Sequence, residues 1–411
     1  MRYTVAGIDV HKKVLMVVVV KLELGSAELE PQRRRFGTTA SELHSLARWL
    51  GEQGVEEGVM ESTAQYWKPV WYELEGQMKL QLAQAFSNRA PRGRKHDFKD
   101  AERLVRRLVA QELILSFVPP PEQRNWRTMT RSKCQLAHDR VRMHNQLEGL
   151  LEEMRIKLSS VVSDLLGGSG LRILRALAGG ESDPGKLAEL GDARLRCSRE
   201  QLIDALRGTV TDMHRQVLGL FLERLQLIDE QMERLNGMIA QALREHQDAV
   251  VRLAEVPGFG ADSAQQVIAE VGAEASAFPS AAQLSSWAGT CPGLQESAEQ
   301  NQSSRSAKGN KYLRRVLTEA AQAAVKTKGS HWQGVFQRLL PRLGYKQALW
   351  AVVHRLCRVV WKILHDRVRY IEQGAGRDPK AKKQRAQTLA RALRKLGYQV
   401  HITPIGPPAM A

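Results

Sequence analysis

Apolar residues in the first hundred positions fall in short blocks punctuated by turn residues. Residues 3–10 (YTVAGIDV) and 14–24 are β-branched runs separated by His11, Lys12 and Lys13, and residues 34–38 supply a third extended stretch. The period then becomes helical. Leu43, Leu46, Ala47 and Leu50 fall on one face of residues 41–53, with Thr39 or Ser41 placed to cap them. Residues 55–60 predict a strand ending at Glu61, residues 62–76 a helix, residues 80–86 another strand, and residues 97–111 a helix after a basic loop at 88–95. Three strands followed by alternating helices and strands predict an α/β layered domain.

Pro119, Pro120 and Pro121 break this pattern. Helical spacing runs on to about residue 158 through Leu136, Met143, Leu147, Leu150 and Met154, and loops are expected at 167–170 and 179–184. A second long helix is predicted over 211–245. Its apolar residues Phe221, Leu225, Ile228, Met232, Leu235, Ile239 and Ala242 step alternately by four and three, which is a heptad seam. Such a seam either folds back on the first long helix or serves as an oligomerisation arm, and spacing leaves both open. Residues 253–272 (LAEVPGFGADSAQQVIAEVG) predict two helices around a Pro-Gly-x-Gly turn, either a phosphate-facing turn or a plain one. Helix continues to about residue 362, ahead of a basic, Pro-rich end. The expected divisions are an α/β domain over 1–118, a helical coiled-coil region over 119–250, a helical domain over 251–371 and a basic tail over 372–411.

Length and composition narrow the class. A chain of 411 residues exceeds one ordinary domain, and 43% hydrophobic residues suffice for real cores. The formal net charge is +17 and the isoelectric point near 9.9, so a polyanion, nucleic acid first, is the expected partner. Cys134, Cys197, Cys291 and Cys357 form no C-x-x-C pair, which argues against a zinc module or a disulfide framework. Asp9 and the basic triplet interrupt any secretory h-region, and the run 14–20 is too short to span a bilayer. The expectation is a soluble cytoplasmic protein without a membrane partner.

Four carboxylates stand out by order. Asp9 lies near the end of the first strand, Glu61 ends another, and Asp97 and Asp100 share one face at the start of a helix. Each alone is ordinary, since acids at strand ends are common turn residues and acids opening a helix offset its dipole. Together they match what two Mg²⁺ ions about 4 Å apart need for phosphodiester chemistry. Acids at two strand ends and a later pair on a helix are the arrangement of an RNase H-like core.

The strings GIDVHK, ES and GRKHDFKDAE resemble the DEDD transposases of bacterial insertion sequences, a group that includes the Piv-type DNA invertases. Beyond residue 250, VPGFGADSAQQVIAEVG, LSSWAGTCPGLQESA and KGNKYLRRVLTEAA are similar to the C-terminal transposase domain of that family, in the same order. The resemblance implies a RuvC-like RNase H fold followed by helical domains, with Asp9, Glu61, Asp97 and Asp100 as a catalytic, Mg²⁺-binding tetrad. It implies a serine nucleophile at Ser297, inside PGLQESAEQ, although Glu299 stands where the family often has Gly and Ser303, Ser304 and Ser306 are nearby rivals. The implied activity is cleavage and rejoining of DNA strands through a covalent phosphoserine. The implied partners are donor and target DNA, a structured noncoding guide RNA and further copies of the chain, as a dimer or tetramer sharing a site between protomers, near the bacterial nucleoid.

Basic runs fit a phosphate-tracking surface. Arg92, Arg94 and Lys95 precede the acid pair, Arg305, Lys308, Lys311, Arg314 and Arg315 follow the serine, and Arg391, Arg394 and Lys395 lie in the tail. Two alternatives remain: a structure-specific, Holliday-junction-like nuclease cutting with water, and a nonenzymatic nucleic-acid-binding protein.

Overall fold

The computed structural model describes residues 2–23, 31–61, 64–88, 97–293, 295–297, 300–303, 305–374, 387, 390–391, 394 and 399–401. The chain divides into two compact units, Met1–Pro119 and Pro120–Ala411.

The first unit is a mixed α/β layer. Its elements are β1 (Arg2–Val10), β2 (Leu15–Glu23), β3 (Gln32–Phe36), α1 (Ala40–Glu52), β4 (Glu57–Glu61), α2 (Trp67–Leu74), β5 (Lys79–Ala83), a 3₁₀ turn (Ala85–Asn88) and α3 (Asp97–Val109). The sheet order is β3-β2-β1-β4-β5. β1, β2 and β3 pair antiparallel, while β1, β4 and β5 are parallel. The unbroken apolar run in β2 follows from burial on both faces. One face packs Ala6, Ile8, Val10, Leu15, Val17 and Val19 against Leu43, Leu46, Leu50, Val70 and Leu74 of α1 and α2. The other packs Val5, Val18 and Val20 against Ala101 and Val105 of α3. The alternation along a strand therefore puts Val5, Gly7 and Asp9 together on the α3 side. Gly7 is required there. A Cβ at residue 7 would lie 2.2 Å from the Ala101 carbonyl oxygen and 2.8 Å from Cγ2 of Val105, so the helix rides directly on the bare backbone of β1.

The second unit is helical apart from one hairpin. It comprises α4 (Pro121–Glu153), α5 (Leu158–Val161), α6 (Gly168–Ala178), α7 (Pro184–Glu189), α8 (Arg199–Ala205), α9 (Asp212–Ala242), α10 (Gln247–Ala254), α11 (Ala261–Val271), α12 (Ala281–Ala288), β6 (Gln295–Ser297), β7 (Gln300–Ser303), α13 (Lys311–Lys326) and α14 (His331–His365), the last kinked at Gly344. Pro121 opens α4 at its first helical position, where its missing N–H costs nothing, and Thr211 caps α9. Leu225 and Ile228 of the heptad seam are buried with Met143, Leu147, Leu150 and Leu151 of α4. The same core takes in Ile173, Leu174 and Leu177 of α6 and Leu202 of α8, so it is broader than a two-helix seam. The turn between α10 and α11 packs inward: a Cβ on Gly258 would lie 2.1 Å from the Ala320 carbonyl oxygen of α13, and the Gly260 N–H donates to Ser263 Oγ at 2.8 Å.

Two stretches differ from the periodicity reading. Of residues 167–170, expected as a loop, Gly167 caps α6 and the rest form its first turn, because Gly170 lets the helix start pack directly on the Leu165 carbonyl oxygen. Residues 295–303, expected within a helical stretch, hold the β6–β7 hairpin. Among the described residues no helix is long and apolar enough to cross a membrane. The expected basic tail lies largely outside the described residues.

Candidate active site

The parallel pairing of β1, β4 and β5 sets Ile8 opposite Met60 and Glu61 opposite Ala83. Asp9 and Glu61 therefore leave the sheet at the same, C-terminal edge. The contact at Gly7 brings the first turns of α3 to that edge, and Asp100 immediately precedes the touching residue Ala101. Electrostatics give the result. Burial raises the Asp9 carboxyl above its ordinary range, His11 pulls it down, and the charges of Asp100 and Glu61 push it up again. Asp9 thus feels the charges of Glu61 and Asp100, which lie far from it in sequence, across a single site. Asp97 opens α3 one turn before Asp100, and its side chain lies outside the described residues.

The partners of these acids form a connected set. Nε2 of His11 is 3.1 Å from Oδ2 of Asp9. Arg103 pairs with Asp100 one turn along α3 and donates to the Asn88 carbonyl oxygen at 3.0 Å. Asn88 is only 3% exposed, and its Nδ2 donates to Oε2 of Glu61 at 2.9 Å. In the sequence Asn88 opens the basic stretch 88–95, where its residue type does not mark it for a role. Its only signal was position, since it follows β5, whose end lies beside Glu61.

Among the described residues, no three His, Cys, Asp or Glu side chains stand close enough together to hold a metal ion, with Asp100 turned to Arg103 and Asp9 to His11. The donor chemistry nevertheless fits a hard divalent cation. All the acids offer oxygen, their charges oppose one another at Asp9, and Oδ1 of Asn88 is buried without a hydrogen-bond partner. The side chains that would hold such an ion are Asp9, Glu61 and Asp100, with Asp97 alongside in sequence.

In the second unit, Ser297 ends β6 and pairs with Gln300, the first residue of β7. Its side chain, Ser304 and Glu299 lie outside the described residues. The legs of the hairpin are fastened at several points. A Cβ on Gly293 would lie 2.2 Å from the Arg305 carbonyl oxygen, so the two legs touch backbone to backbone. Trp350 Nε1 donates to Ser306 Oγ at 2.7 Å, which commits that rival hydroxyl to anchoring the loop. Arg314 donates to the Ala307 carbonyl oxygen at 3.0 Å and lies over the Trp350 ring. Asn310 caps α13 by accepting from the Tyr312 and Leu313 N–H groups, and its own Nδ2 donates to Glu270 at 2.7 Å. Glu270, 2% exposed, accepts two bonds of 2.8 Å from Arg131 and lies 3.3 Å from Arg127. Burial pushes the Arg127 guanidinium down to about 10, against the pull of the Glu270 charge.

The basic residues divide. Arg92, Arg94 and Lys95 lie outside the described residues. Arg305, Lys308 and Lys311 are exposed. Arg314 is held as above, and Arg315 bonds Glu319 and Gln266. Trp126 is buried, and Trp67 and Trp71 pack on the core of the first unit, so these rings serve packing.

Comparison with known proteins agrees with the order of these features. Residues 6–156 match the DEDD transposase family of the IS110 type, and residues 250–337 match the transposase family IS116/IS110/IS902. A probable family 20 transposase of Pseudomonas aeruginosa is 26% identical over 317 residues, covering 74% of this chain and 81% of that protein. The first match contains all four carboxylates and the second contains Ser297 with its hairpin, as two parts of one enzyme type in one order. On both matched stretches, and in the order in which they stand, the chain is similar to the IS110 family of DEDD transposases.

Proposed function

We propose that the chain cleaves and rejoins DNA strands for an insertion sequence, with Asp9, Glu61, Asp97 and Asp100 holding Mg²⁺ and Ser297 as nucleophile. The observation that carries the metal half is geometric: Asp9 and Glu61 leave the same edge of the parallel strands, and the packing of α3 on Gly7 brings Asp100 to that edge. The mixed five-stranded sheet, with both strand-end acids on its parallel half, supports an RNase H-like, RuvC-like core. Bound Mg²⁺ would supply charge stabilisation at the attacking and leaving oxygens. Support for the serine comes from its neighbourhood in sequence: Ser297 ends β6, and the chain that follows β7 is held at Ser306, Ala307 and Asn310, which suits a nucleophile that must be kept still. Its Oγ gives up its proton and bonds to phosphorus as the bond to the leaving deoxyribose oxygen breaks, and that oxygen takes a proton. The reverse step passes the phosphate to a new strand hydroxyl, so no external energy source is consumed.

Donor and target DNA are the substrates in this reading. A structured noncoding RNA serves as guide, and the working form is a dimer or tetramer. Functionally the chain divides into a catalytic domain (1–118), a helical region (119–250), a serine-bearing domain (251–371) and a basic tail (372–411). Exposed Arg305, Lys308 and Lys311 beside the serine hairpin are assigned to phosphate contact.

Ser297→Ala tests the nucleophile. It should abolish covalent protein–DNA adducts on denaturing gels while leaving DNA binding intact, and an unchanged adduct yield refutes the assignment. Persistent cleavage without adducts would favour a nuclease acting with water. Sequencing the RNA that co-purifies tests guidance: one discrete species supports it, and random cellular RNA refutes it.

A further inference from the structure

We infer that Asn88 is a further ligand of the cation site, offering its side-chain carbonyl oxygen beside Glu61. The inference rests on the metal-binding reading of the acids given above.

The orientation of the amide is fixed by chemistry. A carboxylate only accepts hydrogen bonds, so the atom 2.9 Å from Glu61 Oε2 must be Nδ2, the donor. Oδ1 shares the same carbon, so the bond to Glu61 also fixes where that oxygen lies. The main chain is fixed as well, because Arg103 donates to the Asn88 carbonyl oxygen while also pairing with Asp100. Asn88 therefore bridges the acid at the end of β4 and the acid on α3, in the turn that follows β5.

Oδ1 is buried and has no hydrogen-bond partner among the described residues. Leaving a buried carbonyl oxygen unpaired costs about 1–3 kcal/mol. Had this side chain served only to steady Glu61 with its donor, the unpaired oxygen would be a pure loss at that position. A neutral amide oxygen is a regular ligand for hard divalent cations, alongside carboxylates and water. It also adds a donor without adding a fifth negative charge to a site where like charges already oppose one another. Both halves of the amide then have a use: Nδ2 holds Glu61 in place and Oδ1 faces the ion.

The test uses Mn²⁺ with the full chain, read as the loss of the free-ion signal in electron paramagnetic resonance, without DNA or turnover. Asn88→Ala should weaken Mn²⁺ binding by about tenfold or more, the scale on which groups around a metal site act. Asn88→Asp keeps the oxygen and loses the donor, so it separates the two roles. It should bind Mn²⁺ at least as tightly as the native chain, and its thermal midpoint, lowered by repulsion with Glu61, should recover on adding Mn²⁺. Native-like affinity in Asn88→Ala overturns the inference. So does weakened affinity in Asn88→Asp, which would show that Asn88 acts only as a donor to Glu61. If Asn88→Ala fails to fold, the Asn88→Asp arm decides alone. Absence of Mn²⁺ binding by the native chain would refute the metal reading itself, a result distinct from either failure.

Discussion

Gly7→Ala probes how the site is assembled without touching any acid. The added methyl would sit 2.2 Å from the Ala101 carbonyl oxygen and 2.8 Å from Val105 Cγ2. Backbone oxygen cannot swing aside, so α3 must retreat by roughly 1 Å to reach a tolerable contact, and overpacking of this kind costs about 1–3 kcal/mol. For a unit the size of Met1–Pro119, roughly 4 °C of melting temperature is lost per kcal/mol, so a fall of roughly 4–12 °C is expected. The functional effect should exceed the stability effect. Asp100 adjoins Ala101 and travels with the helix, and if the proposed catalytic set is right a displacement of about 1 Å within it can cost about a hundredfold in rate. The assay pairs thermal unfolding of the full chain, followed by circular dichroism, with Mg²⁺-dependent strand cleavage measured well below the variant's midpoint. Cleavage at the native rate with a lowered midpoint would show that Asp100 need not stand at its present distance from Asp9. A native midpoint would refute the close packing itself.

Three further outcomes are expected. Glu270→Ala leaves Arg127 and Arg131 without their buried carboxylate and should cost about 3–5 kcal/mol in chemical denaturation, with an unchanged midpoint refuting the hub role. Burial opposes ionisation of Glu57, but bonds from Tyr3, Lys79 and Gln81 outweigh it and hold its carboxyl below the ordinary 4.5; the stability this supplies is present above pH 4.5 and lost as pH falls through the lowered value, so Glu57→Gln should be less stable at pH 7 and show a shallower acid limb. Ile228→Asp places an unpaired charge in the α4–α9 core and should cost about 3 kcal/mol or more, whereas a native midpoint with a smaller mass in light scattering would make the seam intermolecular.

The parts of this protein that were legible in its sequence are those fixed by local periodicity. β1 and β2 bury both faces and read as apolar runs, α1 shows its 3.6-residue stripe, and Asp9 and Glu61 announce themselves because a charge after such a run has to be at an end. The β6–β7 hairpin was not legible. Gln295, Glu296, Ser297, Gln300, Asn301, Gln302 and Ser303 offer no alternation of polarity, and what shapes the segment is tertiary: backbone contact at Gly293, the Trp350 bond to Ser306, and the Glu270–Asn310 link at the start of α13. Asn88 was hidden for the same reason, since its partners come from β4 and α3.

The cationic residues follow the same logic in reverse, because a sequence shows a charge without showing what neutralises it. Arg103 lies in a run of basic residues that resembles a phosphate-tracking face, yet it is spent on Asp100 and the Asn88 carbonyl oxygen. Arg314 and Arg315 sit in a second such run, and both are bonded within their own fold. A net charge of +17 therefore overstates the surface available to a nucleic acid in proportion to how many guanidiniums hold the fold together. Lysines suit free electrostatic contact, and arginines, with a rigid fork of donors, suit internal bridges. On that basis Lys308 and Lys311, exposed beside the serine hairpin, should contribute more to the salt dependence of DNA binding than Arg314 and Arg315. Removing either lysine should lower the slope of log affinity against log salt by roughly one, while removing either arginine should lower the thermal midpoint first.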